Sequence, residues 1–414
     1  MRKLRKYLPH PINTLISIVP APPSLRRGDV EFSMLGKIDG VRLKTDLLRK
    51  CELIIIFFYL FIPKYFDMKQ LLCFSALLVL IFSCSDTQQK TASSSGADIH
   101  LYEYYNYSDT GVQMAGIKMI PVTTPVGEFK VWTKRFGNNP RIKVLLLHGG
   151  PAATHQYMEV FESFFPKEGI EFYHYDQLGC GNSDKPTDTS LWVLDRFVEE
   201  VEQVRKAIGA DKNNFYILGN SWGGILGMQY TLKYQDNMKG LIVANMMASC
   251  PDYGKYAEDV LMKQMDPKVL EEIKAIEAKG DYGNPRYMEL LVPNYYNEHI
   301  CRLKEWPEPV NRAFANLNYE IYKMMQGPSE MGVGGNLANW DIKDRLKEIK
   351  IPTLMIGAKY DTMDPKAMEE QSKSVQKGRY LYCPNGSHLA MYDDQKVFMD
   401  GVIKFVRDVD EGRF

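Results

Sequence analysis

From residue 112 onward the chain predicts an α/β fold, a mainly parallel sheet flanked by helices with an inserted helical cap. Two observations carry this. Short apolar runs ("KVLLLHGG", 143–150; "IEFYHYDQ", 170–177; "NFYILGNS", 214–221; "GLIVANMM", 240–247; "IPTLMIGAKYD", 351–361; "GRYLYCPNGSH", 378–388) alternate with longer segments of helical period. Leu194, Phe197, Val198, Val201, Val204 and Ile208 recur at three- and four-residue steps, giving one apolar helical face. Strands alternating with helices imply a parallel sheet covered on both faces. The alternation begins after "GVQMAGIKMIPV" and "GEFKVWTKRFG", which read as an antiparallel pair around a Pro-Val-Gly turn. It breaks between 250 and 340, where amphipathic Tyr- and Met-rich segments read as the cap. This gives a first core part over 112–249 and a second over 341–414.

Ahead of this body the chain has a different character. Residues 68–84, "MKQLLCFSALLVLIFSC", have the layout of a secretory signal, and "LIFSC" resembles a lipobox with Cys84 as the lipidated residue. Residues 85–111 read as a polar tether. Residues 1–67 read as an over-extended start before a true Met68. The alternative is a basic leader of a signal-anchored membrane protein. The expected location is a bacterial cell envelope, by lipid anchor.

Composition narrows the rest. The 51 basic and 51 acidic residues cancel, so no electrostatic footprint for nucleic acid exists. Seven cysteines are scattered without metal-binding spacing or a dense disulfide framework, and most read as isolated free thiols.

In open α/β sheets the chemistry sits beyond the carboxyl ends of the strands. "YILGNSWGGILG" (216–227) places Ser221 between a strand and a helix, with Gly219 and Gly223 leaving room for a sharp turn. A serine hydroxyl needs a base. Of seven histidines, His388 in "CPNGSHLAMYDD" follows the last strand, whereas His148 reads as structural and His174 as packed within a strand. The acid is sought between them: Asp361 sits at a strand end, while Asp364 before Pro365 reads as a helix cap. The oxyanion donors are assigned to the backbone N–H groups of Gly150, with Gly149 as alternate, and Trp222. Such a site requires no metal and no organic cofactor.

The motifs "HGGPA", "YDQLGCGNSDKP", "GNSWGG", "GAKYD" and "GSH" together resemble the proline iminopeptidases of the α/β-hydrolase fold, from about residue 112 to the C-terminus. The departures are Ala152, where a second glycine is common, and Leu178, where arginine is frequent; both are expected near the entrance. The resemblance implies a serine aminopeptidase that releases N-terminal proline or another residue from short peptides or aminoacyl amides. It also implies that Glu330 in "GPSEMG" grips the substrate amine. Glu298 in "YYNEHICR" is the second candidate acid, against a solvated helix-face glutamate. Asp176 is expected to hold its loop in shape. Tyr295, Tyr296 and Trp306 are candidates for an apolar slot, with core packing the simpler reading. The rivals are an esterase or amidase acting on uncharged acyl groups, and a non-catalytic lipoprotein using the cap as a binding surface.

Overall fold

The computed structural model describes residues 104–105 and 114–414. The expected start at 1–67, the signal segment 68–84 with Cys84, and most of the tether lie outside the described residues. Tyr104, inside the expected tether, is an exception. Its ring is buried against Gly137 and its hydroxyl donates to the Ile170 carbonyl at 2.7 Å. The polar tether therefore does not run unbroken to 111.

Eight strands form one sheet: β1 (Ile117–Thr124), β2 (Gly127–Phe136), β3 (Lys143–Leu147), β4 (Glu171–Asp176), β5 (Phe215–Asn220), β6 (Gly240–Ala244), β7 (Thr353–Ala358) and β8 (Gly378–Cys383). Their order is β1-β2-β4-β3-β5-β6-β7-β8. The first two pairings are antiparallel and the remainder parallel.

The near-continuous apolar runs are explained by burial on both faces. Along β3, Leu145 and Leu147 face one core while Val144 and Leu146 face the other; β5 splits Phe215 and Ile217 from Tyr216 and Leu218 in the same way. Helices α1 (Leu194–Ala207) and α2 (Trp222–Tyr234) cover the first face, with Phe197, Val198, Val201 and Val204 of α1 buried there. The C-terminal helix Gln395–Asp410 seals the second with Phe398, Val402 and Phe405.

The cap leaves and rejoins the body at one point. Ser249 and Asp341 form an isolated antiparallel bridge, and Ser249 Oγ donates to Asp341 Oδ2 at 2.9 Å. Between them lie α3 (Cys250–Tyr256), α4 (Pro267–Ala278), α5 (Pro285–Leu291), α6 (Glu308–Ala315) and α7 (Tyr319–Met325). Among the described residues no helix is long and apolar enough to cross a membrane.

Candidate active site

Ser221 stands between β5 and α2 with φ 57° and ψ −127°, a conformation that costs a non-glycine residue energy. The neighbouring glycines make it possible. A Cβ on Gly219 would fall 2.0 Å from the Gly223 carbonyl oxygen, and one on Gly223 would fall 2.0 Å from that of Leu147. Only bare backbone lets helix and strand meet this closely. The Ser221 carbonyl accepts from Gly224 N–H at 2.7 Å, opening the helix directly after the serine.

His388 lies in the loop after β8, and the cap holds it there. Its N–H donates to the His299 carbonyl at 2.9 Å, and Leu389 N–H donates to Ile300 at the same distance. Asp361, fully buried beyond the end of β7, places Oδ1 2.8 Å from His388 Nδ1. That contact directs the Nδ1 proton to the carboxylate and leaves Nε2 as the free base. Nε2 is buried and without a hydrogen-bond partner, while Ser221 and His388 line the same cavity. The two side chains share that space with no hydrogen bond between them; such catalytic contacts commonly tighten only around substrate. Burial alone would lower the imidazole. The charge and hydrogen bond of Asp361, with Glu330 and Asp393 behind it, raise it above its ordinary value. Asp364 caps the helix Pro365–Ser374, accepting from Lys366 N–H at 2.9 Å.

Gly149 and Gly150 border the cavity beside Ser221. Gly149 N–H donates to the Tyr157 hydroxyl at 2.6 Å, which takes it out of reach of a bound carbonyl. Gly150 has φ 111°, and Trp222 is the first residue of α2. The Trp222 indole donates to Gln177 Oε1 at 2.7 Å, anchoring that residue.

The cavity holds about 570 Å³, and its walls are apolar and aromatic, from Tyr287, Phe314, Leu317 and Tyr319 of the cap. Glu330 is the carboxylate among its lining residues. Three tyrosines hold it. Tyr322 donates to Oε1 at 2.6 Å, Tyr253 donates to its carbonyl at 2.6 Å, and its N–H donates to the Tyr296 hydroxyl at 3.3 Å. Burial raises this carboxyl above its ordinary value, opposed by His388 and by the Tyr322 and Tyr253 hydroxyls. A buried carboxylate in the same cavity as Ser221 suits a cationic substrate group.

Glu298 is not part of this cavity. It is exposed on a helical turn and pairs with Arg302 four residues on, as a solvated helix-face glutamate does. Tyr296 lines the cavity, whereas Tyr295 is buried against His299 and Trp306 packs on Phe314 and donates to the Cys301 carbonyl. Ala152 and Leu178 are buried in the core, not at the entrance.

His148, Asp176 and Cys180 converge closely enough to suggest a metal site. The polar atoms of Asp176 and His148 are instead engaged by neighbouring residues. Asp176 accepts from His155 and Asn182, and His148 Nε2 accepts from Gln177 N–H while its Nδ1 meets the Gly149 carbonyl. Burial lowers His148 to about 4, so its ring is neutral. Through His148 Nδ1 this cluster braces the loop at Gly149.

Comparison with known proteins agrees with this fold. Residues 143–395 match the family model described as alpha/beta hydrolase fold. The chain is 74% identical over 298 residues to the proline iminopeptidase of Elizabethkingia meningoseptica, covering 72% of this chain and 100% of that protein. The chain belongs to the proline iminopeptidase family. The family protein of Flavobacterium johnsoniae is 73% identical over 293 residues, covering 71% of this chain and 99% of that one. Among solved structures, the proline iminopeptidase of Mycobacterium smegmatis is 27% identical with a TM-score of 0.64, covering 72% of this chain and 100% of that one. VinJ is 28% identical with a TM-score of 0.65, covering 70% and 98% respectively.

Proposed function

We propose that this chain is a prolyl aminopeptidase, a serine hydrolase that releases N-terminal proline from short peptides or aminoacyl amides. The supporting observation is that Glu330 opens into the cavity lined by Ser221 and His388. The substrate ammonium enters a largely apolar space and pairs there with the Glu330 carboxylate, offsetting its desolvation. This fixes the first carbonyl within reach of the serine, one residue from the amine.

Ser221 Oγ then attacks that carbonyl as His388 Nε2 takes its proton, and Asp361 stabilises the resulting imidazolium. The Gly150 and Trp222 N–H groups receive the developing oxyanion. His388 passes the proton to the departing amine, and water releases the acyl group by the same steps in reverse order.

A prolyl arylamide compared with its N-acetylated form tests this reading. The free amine is hydrolysed and the acetylated compound is not. Equal rates would favour an esterase or amidase on this scaffold.

Attachment to a bacterial cell envelope through a lipid on Cys84 belongs to the same proposal, supported by "LIFSC" and the apolar run before it. Palmitate incorporation that is lost in Cys84→Ser tests it.

A further inference from the structure

Asn245 follows the last residue of β6 and has no place in the three-residue charge relay just described. It is fully buried and adopts φ 56°, a left-handed conformation that asparagine tolerates better than most residues. Its backbone N–H donates to the Ile356 carbonyl at 2.9 Å, so the strand pairing with β7 fixes its position. From there the side-chain amide makes two contacts. Nδ2 donates to Asp361 Oδ2 at 2.7 Å and to the Ser387 carbonyl at 3.1 Å.

Those two acceptors belong to different loops. One is the free oxygen of the carboxylate whose other oxygen meets His388; the other is the carbonyl immediately before His388. A single planar amide therefore sets the rotation of the acid and its separation from the base. A bond to an ionised carboxylate is among the stronger hydrogen bonds a neutral donor makes. Asn245 Oδ1 is buried without a partner, a cost the fold bears to hold the amide in this orientation.

We propose that Asn245 is a positioning residue that locks the Asp361 carboxylate against His388. This rests on the triad reading of Ser221, His388 and Asp361.

The test compares Asn245→Gly, which accepts the same backbone conformation, with Asn245→Asp, which keeps the shape. Turnover of a prolyl arylamide is followed across pH, with each variant normalised to its folded fraction. In Asn245→Gly, kcat falls about 10- to 100-fold, the scale of losing one hydrogen bond to a charged group, while KM stays within about twofold. In Asn245→Asp the new carboxyl donates to Asp361 only while protonated. Its activity relative to the parent chain therefore declines as pH rises, the groups facing His388 being Asp361, Glu330 and Asp393.

An unchanged kcat in folded Asn245→Gly, or a pH-independent ratio in Asn245→Asp, overturns the proposal. Failure of both variants to fold also overturns it, since the amide would then serve the fold. Ser221→Ala run in parallel separates the two readings: if it stays active, the triad itself falls, whatever the Asn245 variants do.

Discussion

The Tyr157 hydroxyl accepts the Gly149 N–H at 2.6 Å and donates to Asn220 Oδ1 at 3.0 Å. One phenol thus ties the oxyanion loop to the residue before Ser221. Asn220 continues the link, its amide reaching the Ala244 carbonyl at 3.3 Å and the His388 carbonyl at 3.4 Å. The loop at Gly149, the residue before Ser221 and the His388 backbone are held by one hydrogen-bonded chain.

Removing that phenol oxygen tests the link. Tyr157→Phe loses both hydrogen bonds, about 1 kcal/mol each, so kcat should fall roughly 30-fold with KM little changed. Steady-state kinetics on a prolyl arylamide decide it; a changed KM with full kcat would place Tyr157 in substrate binding instead.

Glu330 separates binding from stability. Glu330→Gln should lower kcat/KM for a free-amine substrate about 30-fold or more, the scale of losing one member of a buried charge pair. The same change should stabilise the protein at neutral pH. The folded-state carboxyl titrates above its ordinary value of 4.5, so the native state holds its proton more tightly than the unfolded chain does. Stability is therefore lost as pH rises from that value through the raised one. The melting-temperature gain of Glu330→Gln should vanish in acid and grow toward neutrality. A gain independent of pH would contradict this.

Gly223→Ala should be severe. Its methyl would meet the Leu147 carbonyl at 2.0 Å, prising α2 from β3 and turning Ser221 out of place. Overpacking of this kind costs at least about 1–3 kcal/mol. Thermal melts and turnover should both drop.

Glu298→Ala should change little, because an exposed pair with Arg302 contributes about 0–1 kcal/mol and lies outside the cavity. Wild-type kinetics within about twofold are expected. A loss confined to free-amine substrates would restore Glu298 as a binding acid.

What the sequence revealed was local. Ser221 sits where strand, glycines and helix succeed one another, Asp364 precedes Pro365, and the α1 stripe repeats at helical spacing, so neighbouring residues alone encode them. Glu298 misled because an acid on an amphipathic turn looks the same whether it faces a pocket or water. Tyr157 and Asn245 gave no signal at all. Their partners lie 63 and 116 residues away, and only the sheet order brings them together. Ala152 and Leu178 went inward for the same reason, since depth beneath the cap is a property of packing.

The most direct measurement is turnover of a prolyl arylamide by purified Ser221→Ala, checked for an unchanged melting temperature. Loss of an activated serine costs on the order of 10⁶-fold in kcat, so hydrolysis should fall by about that factor, leaving only the roughly 10³- to 10⁴-fold enhancement over water that binding and the oxyanion donors supply. A folded variant that still turns over within about tenfold of the parent would mean that another group attacks the substrate.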